Sequence, residues 1–169
     1  MKKQILLVAL MLCAVSGLYA QSYMFVNSET IFKSQTDYNT AIQQLEDLTA
    51  AYQKNIDDAY ATIEQTYNNY QAQKAYLSDT RRAEREEEII SMERKVTDYQ
   101  KEKFGPEGEL MKKRLELIKP IQERVFGAIN KYAEANGYTM VVDIVNNQTL
   151  LYYSPALNKT EEIITLLNQ

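Results

Sequence analysis

The chain contains no histidine and a single cysteine, Cys13. Without an imidazole there is no histidine general base and no histidine-held metal. Cys13 sits in an apolar run, Ile5 to Val15, that follows Lys2 and Lys3 and precedes Leu18-Tyr19-Ala20. A positive start, a short apolar run and a small residue form the pattern of an export signal, with cleavage expected near Ala20. The cysteine would leave with that segment, so the exported chain would have neither a disulfide nor a nucleophilic thiol. Lipid attachment at Cys13 is disfavoured, because Leu12 stands where a small residue belongs. The apolar run is too short to span a membrane, and no later stretch is apolar enough to do so.

Excess positive charge is also missing. The chain carries 19 basic and 23 acidic residues, a net charge of −4, and loss of Lys2 and Lys3 would take it to −6. Such a balance argues against bulk nucleic-acid binding and against a broadly basic surface that grips anionic lipid.

The third absence is local. Between Thr36 and Phe104 there is no glycine and no proline, and apolar residues recur at helical spacing. One seam reads Ile42, Thr49, Ile56, Ile63, Tyr70 and Leu77, and its companion reads Leu45, Tyr52, Ala59, Thr66 and Gln73. Seven-residue repeats of this kind predict a helix packed along one side in coiled-coil fashion. The spacing stops at Leu77-Ser78-Asp79-Thr80, where Ser78 suits an N-cap. A second seam then follows at Ile89, Met92, Val96 and Tyr99. An antiparallel helical hairpin results, with a polar tip at Arg81-Arg82-Ala83-Glu84-Arg85-Glu86-Glu87-Glu88.

Phe104-Gly105-Pro106-Glu107-Gly108 predicts a kink or break, because glycine is costly and proline lacks a donor in a helix interior. Helix is expected to resume at Glu109, with Leu110, Met111, Leu115, Ile118, Ile121, Val125, Ile129 and Tyr132 on one face. Pro120 should bend it rather than end it, and Asn136-Gly137 should stop it. At the front, Tyr23 to Asn27 predicts a strand, and Asn27 or Ser28 caps a brief helix through Ile31 and Phe32. At the back, Tyr138 to Val145 and Gln148 to Tyr153 predict a β-hairpin around Asn146-Asn147. Its first run is expected to be central and covered on both faces. Thr160-Glu161-Glu162 starts a last helix.

The expected fold class is therefore α+β, mostly α: a long hairpin arm on a small β-rich body. The expected layout is an export signal over 1–20, then strand and short helix over 21–35. The arm covers 36–120, with its tip about 77–80 and its break about 104–108. Helix end, β-hairpin and C-terminal helix occupy 121–169.

This order of parts resembles the Skp/OmpH-like periplasmic chaperones over essentially the whole exported chain. The residues that carry the likeness are Phe25-Val26-Asn27-Ser28-Glu29 with Ile31-Phe32, and Leu117 through Gln122. Asn136-Gly137-Tyr138, Val141-Val142-Asp143 and Leu151 through Pro155 complete it. The resemblance implies a homotrimer in which a β-rich trimerisation body carries three helical arms around a cavity. Unfolded outer-membrane proteins would be held there in the periplasm without ATP. The chain departs from the family pattern in its acidic charge and in its break within an arm helix. It also has Asn158-Lys159-Thr160 where Asp-(Ile/Leu)-Thr is usual. The rival reading is an exported coiled-coil spacer or adaptor of the cell envelope. β-Rich segments at both chain ends and aromatics off the seam favour the chaperone.

Candidate contact residues follow from position. Tyr52, Tyr70 and Tyr99 lie on or against the seams and are expected to pack between helices. Tyr60, Tyr67 and Tyr76 lie off the seam. They are candidates for client contact, an apolar ring with a wet hydroxyl suiting varied unfolded chains, with packing as the alternative. Arg81, Arg82 and Arg85 at the tip are candidates for contact with an anionic membrane surface or lipopolysaccharide, as the resemblance suggests, or for pairing with Glu84 to Glu88. A glycosidase-like reaction needs two carboxylates about 5–10 Å apart across a cleft, and the pattern suggests no cleft. No enzyme activity, cofactor or metal is expected. Asp143, alone in an apolar strand, suits a structural hydrogen bond or a trimer contact.

Overall fold

The computed structural model describes residues 22–145 and 147–169. The export signal expected over residues 1–20 lies outside them. Contacts within the chain divide it into two units, one of residues up to Ser34 with Arg124–Gln169, the other Gln35–Glu123.

The first unit is built on a short strand, β1 (Tyr23–Val26), whose alternate residues Met24 and Val26 are buried. Asn27 ends the strand and caps helix α1 (Ser28–Lys33), its side-chain oxygen accepting from the Thr30 amide at 2.9 Å. β1 pairs in parallel with β2 (Met140–Asp143), from Tyr23 opposite Met140 to Val26 opposite Asp143. On its other side, Phe25 bridges to Asn158, and its carbonyl accepts from the Lys159 amide at 2.8 Å. Helix α5 (Thr160–Leu167) follows, and its Ile163 is fully buried, like Ile31 of α1 and Val125.

The second unit is the hairpin. Helix α2 (Thr36–Gln73) has 38 residues, about 57 Å at 1.5 Å per residue. A turn of 3₁₀ helix over Lys74–Tyr76 and an extended Leu77 reverse the chain. Ser78 then caps helix α3 (Asp79–Phe104), its hydroxyl accepting from the Arg81 amide. One buried cluster joins the two helices: Ile56, Ile63 and Tyr70 from α2, with Ile89 and Val96 from α3. Ala59, Leu77, Met92 and Tyr99 pack on its edge. The spacing of these residues is the heptad of the sequence, so α2 and α3 bury one apolar stripe each against the other.

The return strand of the hairpin is broken once. α3 stops at Phe104, and helix α4 (Glu109–Ala135) begins after four intervening residues. A Cβ on Gly105 would lie 2.3 Å from the Lys101 carbonyl oxygen, and one on Gly108 would lie 2.8 Å from the carbonyl oxygens of both Glu102 and Lys103. The chain folds back on its own carbonyls so closely that only glycine fits at both ends of the break. Pro120 lies inside α4 without ending it. Ile118, Ile121, Val125, Ile129 and Ala133 are the buried face of α4, whereas Met111 and Leu115, expected on that face, are exposed.

The β-hairpin expected over Tyr138 to Tyr153 does not form. β2 ends at Asp143, and Gln148–Tyr153 contains no strand. Local hydrogen bonds take the groups a ladder would need. Asp143 Oδ1 accepts from the Ser28 amide at 3.2 Å and the Val145 amide at 3.1 Å, while Oδ2 accepts from the Ser28 hydroxyl. The Asn147 amide donates to the Asp143 carbonyl, and Thr149 donates to the Asn147 side chain. Nor is β2 covered on both faces: Met140 is 52% exposed, and β1 is its only ladder partner among the described residues.

Thr160 is the buried polar residue that closes the first unit. Its hydroxyl accepts from the Asn27 amide at 2.8 Å and donates to Asn158 Oδ1 at 2.6 Å, and that oxygen also accepts from the Thr160 amide. Replacing Thr160 by Val leaves a backbone donor without its acceptor, a loss of about 1–3 kcal/mol. In urea titration the Thr160→Val midpoint should fall. Asn158→Asp keeps the acceptor and adds negative charge at a helix start, so its midpoint should hold or rise. An unchanged Thr160→Val midpoint would reject this role.

Candidate functional site

The buried seam decides which residues of the hairpin face solvent. Tyr60 and Tyr67 each lie one residue past the companion seam, after Ala59 and Thr66, and so border the seam on the flank of α2 rather than filling it. They are 46% and 48% exposed, and Tyr76, in the 3₁₀ turn, is 90% exposed. The three tyrosines singled out in the sequence therefore lie outside the core. Tyr70, by contrast, is buried, and its hydroxyl donates to Glu86 of α3. Lys74 lies 5.3 Å above the Tyr70 ring and 3.6 Å from Glu86. The Tyr70 hydrogen bond, helped by Lys74, holds the Glu86 carboxyl below its ordinary range.

The tip arginines are all engaged within the hairpin. Arg81 pairs with Glu84 at 2.7 Å, Arg85 with Glu88 at 2.7 Å, and Arg82 with Asp79 at 3.3 Å. Arg82 Nε also donates to the Lys74 carbonyl at 3.1 Å, tying α3 to the reversal. These pairs are solvent-exposed, and such pairs are worth about 0–1 kcal/mol each, so they leave the guanidinium groups open to exchange partners.

A tighter cluster lies at the break and was not foreseen from the sequence. Lys103 Nζ pairs with Glu102 at 2.8 Å and with Glu109 at 2.6 Å, and its side chain is 13% exposed. The same ammonium sits 5.4 Å from the Tyr52 ring centre and 5.3 Å from that of Tyr99. Tyr52 meets Tyr99 and Phe104 edge-on, its hydroxyl donates to Glu109 at 3.0 Å, and Asn55 donates to the Tyr99 hydroxyl. One lysine thus joins α2, α3 and α4 across the interruption. Hydrogen bonds to Glu102 and Glu109 push the Lys103 ammonium well above its ordinary value. Hydrogen bonds from Lys103 and then Tyr52 hold the Glu109 carboxyl low. The sequence did hold a signal: an aromatic, a lysine and a glutamate crowd a Gly-Pro-Glu-Gly stretch opposite a seam tyrosine.

The hollows beside this cluster are shallow. One, about 620 Å³, lies over the break and is lined by Asp98, Lys101, Glu102, Glu107 and Lys112. Another, about 580 Å³, is lined by Ile42, Leu45, Thr49, Ala50 and Leu110, with Glu46 and Arg114 among its walls. Among the described residues no group of His, Cys, Asp and Glu is arranged to hold a metal ion, and no helix is long and apolar enough to cross a membrane.

The model of a family described as outer membrane protein (OmpH-like) matches residues 22–167. Among solved structures, the fold is similar to a candidate outer membrane chaperone (OmpH-like) from Caulobacter crescentus CB15, with a TM-score of 0.68 and 9% sequence identity. The match covers 90% of this chain and 86% of that one. No curated protein matches significantly.

The break cluster has a pH signature. A carboxyl whose folded value is depressed stabilises above its unfolded value, and that contribution is lost as pH falls through the folded value. Glu109→Gln should therefore lower the melting temperature at pH 7. The gap from the unsubstituted protein should close as pH falls below the ordinary carboxylate range and through the depressed folded value. A gap that persists at low pH would assign the loss to packing instead. Glu86→Gln provides the matching control at the tip.

Proposed function

We propose a chaperone function from one premise: this chain belongs to the OmpH-like outer membrane protein family. It works as an ATP-independent holdase in the periplasm, exported by a signal cleaved near Ala20. Unfolded outer-membrane proteins are held between helical arms, three chains assembling as a homotrimer on their β-rich bodies.

The observation that carries this reading is the exposure of Tyr60, Tyr67 and Tyr76 on a hairpin whose exposed surface is mostly polar and charged. A protein that holds many unfolded sequences needs apolar contact without a shaped pocket. Tyrosine supplies a large ring at low rotamer cost and keeps its hydroxyl in water. The shallow hollows of the hairpin fit the same demand, since a small-molecule site encloses most of its ligand. Holding by such contacts is non-covalent and reversible, and no residue is assigned a catalytic role. The tip arginines add a second, weaker contact: Arg81 and Arg85 have only exposed pairs to exchange, and Arg82, which also holds the Lys74 carbonyl, stands beside them, so the three present charge to an anionic membrane surface.

Diluting a urea-unfolded outer-membrane β-barrel into the exported form of the chain tests the central claim. Light scattering should stay low, and sedimentation should give one client per trimer. A barrel that aggregates as if alone would sink the holdase reading and favour a structural spacer, and a stable monomer would refute the trimer. Tyr60→Ser, Tyr67→Ser and Tyr76→Ser combined should weaken client binding on the order of tenfold with little loss of stability, since exposed substitutions cost about 0.5 kcal/mol or less. Changing the three arginines to Gln should reduce flotation with anionic vesicles at low salt, and unchanged flotation would remove the membrane contact.

A further inference from the structure

The two tyrosines on the flank of α2 do not stand among neutral residues. Asp57, Tyr60, Glu64 and Tyr67 follow one another by three, four and three residues, and so share one side of the helix. On α3, Glu86, Ile90 and Glu93 follow by four and three. An antiparallel helix pair is related by a twofold axis, so positions four residues after the Ile56, Ile63 and Tyr70 seam on α2 and after its counterpart Ile89 on α3 border the same flank. The ion pair between Lys74, four after Tyr70, and Glu86 marks that border directly. Tyr60, Tyr67 and Ile90 are each close to half exposed along it.

The charge of this flank is one-sided. Of the residues named, Lys74 is the single cation, and it is engaged with Glu86 and the Tyr70 ring. Across all of α2, six acids face one base, Lys54, which pairs with Asp58 at 2.6 Å. Asp57 accepts from the Gln53 amide. Neither it nor Glu64 nor Glu93 has an ion-pair partner among the described residues. Arg94 follows Glu93 by one residue and is turned about 100° away around the helix.

From this flank we infer the chemistry of the segment that docks on it: an unfolded stretch bearing lysine or arginine among its apolar residues. The inference rests on the chaperone reading and names the kind of client segment that reading leaves open. Tyrosine faces and Ile90 take apolar side chains, and the same tyrosine faces attract a cation. Asp57, Glu64 and Glu93 supply opposite charge beside them, while an acidic segment of equal apolarity is repelled. Both effects fade with salt, whereas the apolar contact does not.

The test uses two disordered peptides with the same aromatic, aliphatic and glycine positions, one with lysines where the other has glutamates. Binding to the assembled protein is followed by fluorescence anisotropy. The lysine peptide should bind on the order of tenfold tighter at low salt, the ratio shrinking toward about two near 0.5 M salt. Asp57→Asn, Glu64→Gln and Glu93→Gln together should collapse the low-salt ratio. Asp47→Asn, Glu87→Gln and Glu161→Gln, an equal change in net charge elsewhere, should preserve it. Equal binding of the two peptides overturns the inference, and so does an equal loss in both triple variants, which would reflect net charge alone. If neither peptide binds while the unfolded barrel is still held, this inference fails and the chaperone reading stands. If the barrel is not held either, both fail.

Discussion

Two helices that bury a single stripe against each other have little else to hold them in register. In the hairpin that stripe is Ile56, Ile63 and Tyr70 against Ile89 and Val96, and every other property of the arm depends on it. Each buried aliphatic side chain contributes about 2 kcal/mol. Because the stripe is narrow, most of the surface of α2 and α3 is left to water. That surface is the part available for contact, and its chemistry differs from place to place: paired charges at the tip, tyrosine and carboxylate on one flank, apolar clefts nearer the break.

The break shows what happens where the stripe is interrupted. Gly105 and Gly108 let the backbone turn within contact distance of its own carbonyls, which leaves helix ends that need partners. Lys103 ties the two ends together from one atom, reaching two carboxylates and two aromatic rings contributed by three helices. The interruption is thus pinned by a nearly buried cation. A hinge would be expected to lack such cross-helix bonds. The pinned break also brings α4 alongside the first part of α2, where Leu110 meets the cleft beside Ile42 and Leu45. In the other unit the same economy recurs on a smaller scale. Asp143 ends β2 and secures the start of α1, and Thr160 joins the end of β1 to the start of α5.

Much of this was legible in the chain. A seven-residue repeat without glycine or proline identifies a packed helix because the helical period leaves no other way to gather Ile56, Ile63 and Tyr70 on one side. The reversal at Leu77-Ser78 was legible because Ser78 caps the returning helix. The off-seam tyrosines were legible for the same reason as the seam, since Tyr60 and Tyr67 fall in neither of the two seven-residue series that face the partner helix. The paired β-runs near the C-terminus misled. Tyr138 to Val145 and Gln148 to Tyr153 have strand composition. Composition does not reveal that β1, more than a hundred residues away, takes β2 as its partner, or that Asp143 engages the amides that would continue the ladder.

The sequence by itself determined the periodicity, and through it the helices, their turn, their polar tip and the residues kept off the seam, because local spacing and capping are settled within a few residues. Only the tertiary structure decided the parallel pairing of β1 with β2, the exposure of Met111 and Leu115, and the convergence of Tyr52, Tyr99, Lys103 and Glu109 at the break. Each of these depends on groups brought together from distant parts of the chain. A lysine between two rings and two carboxylates exists only once three helices have met.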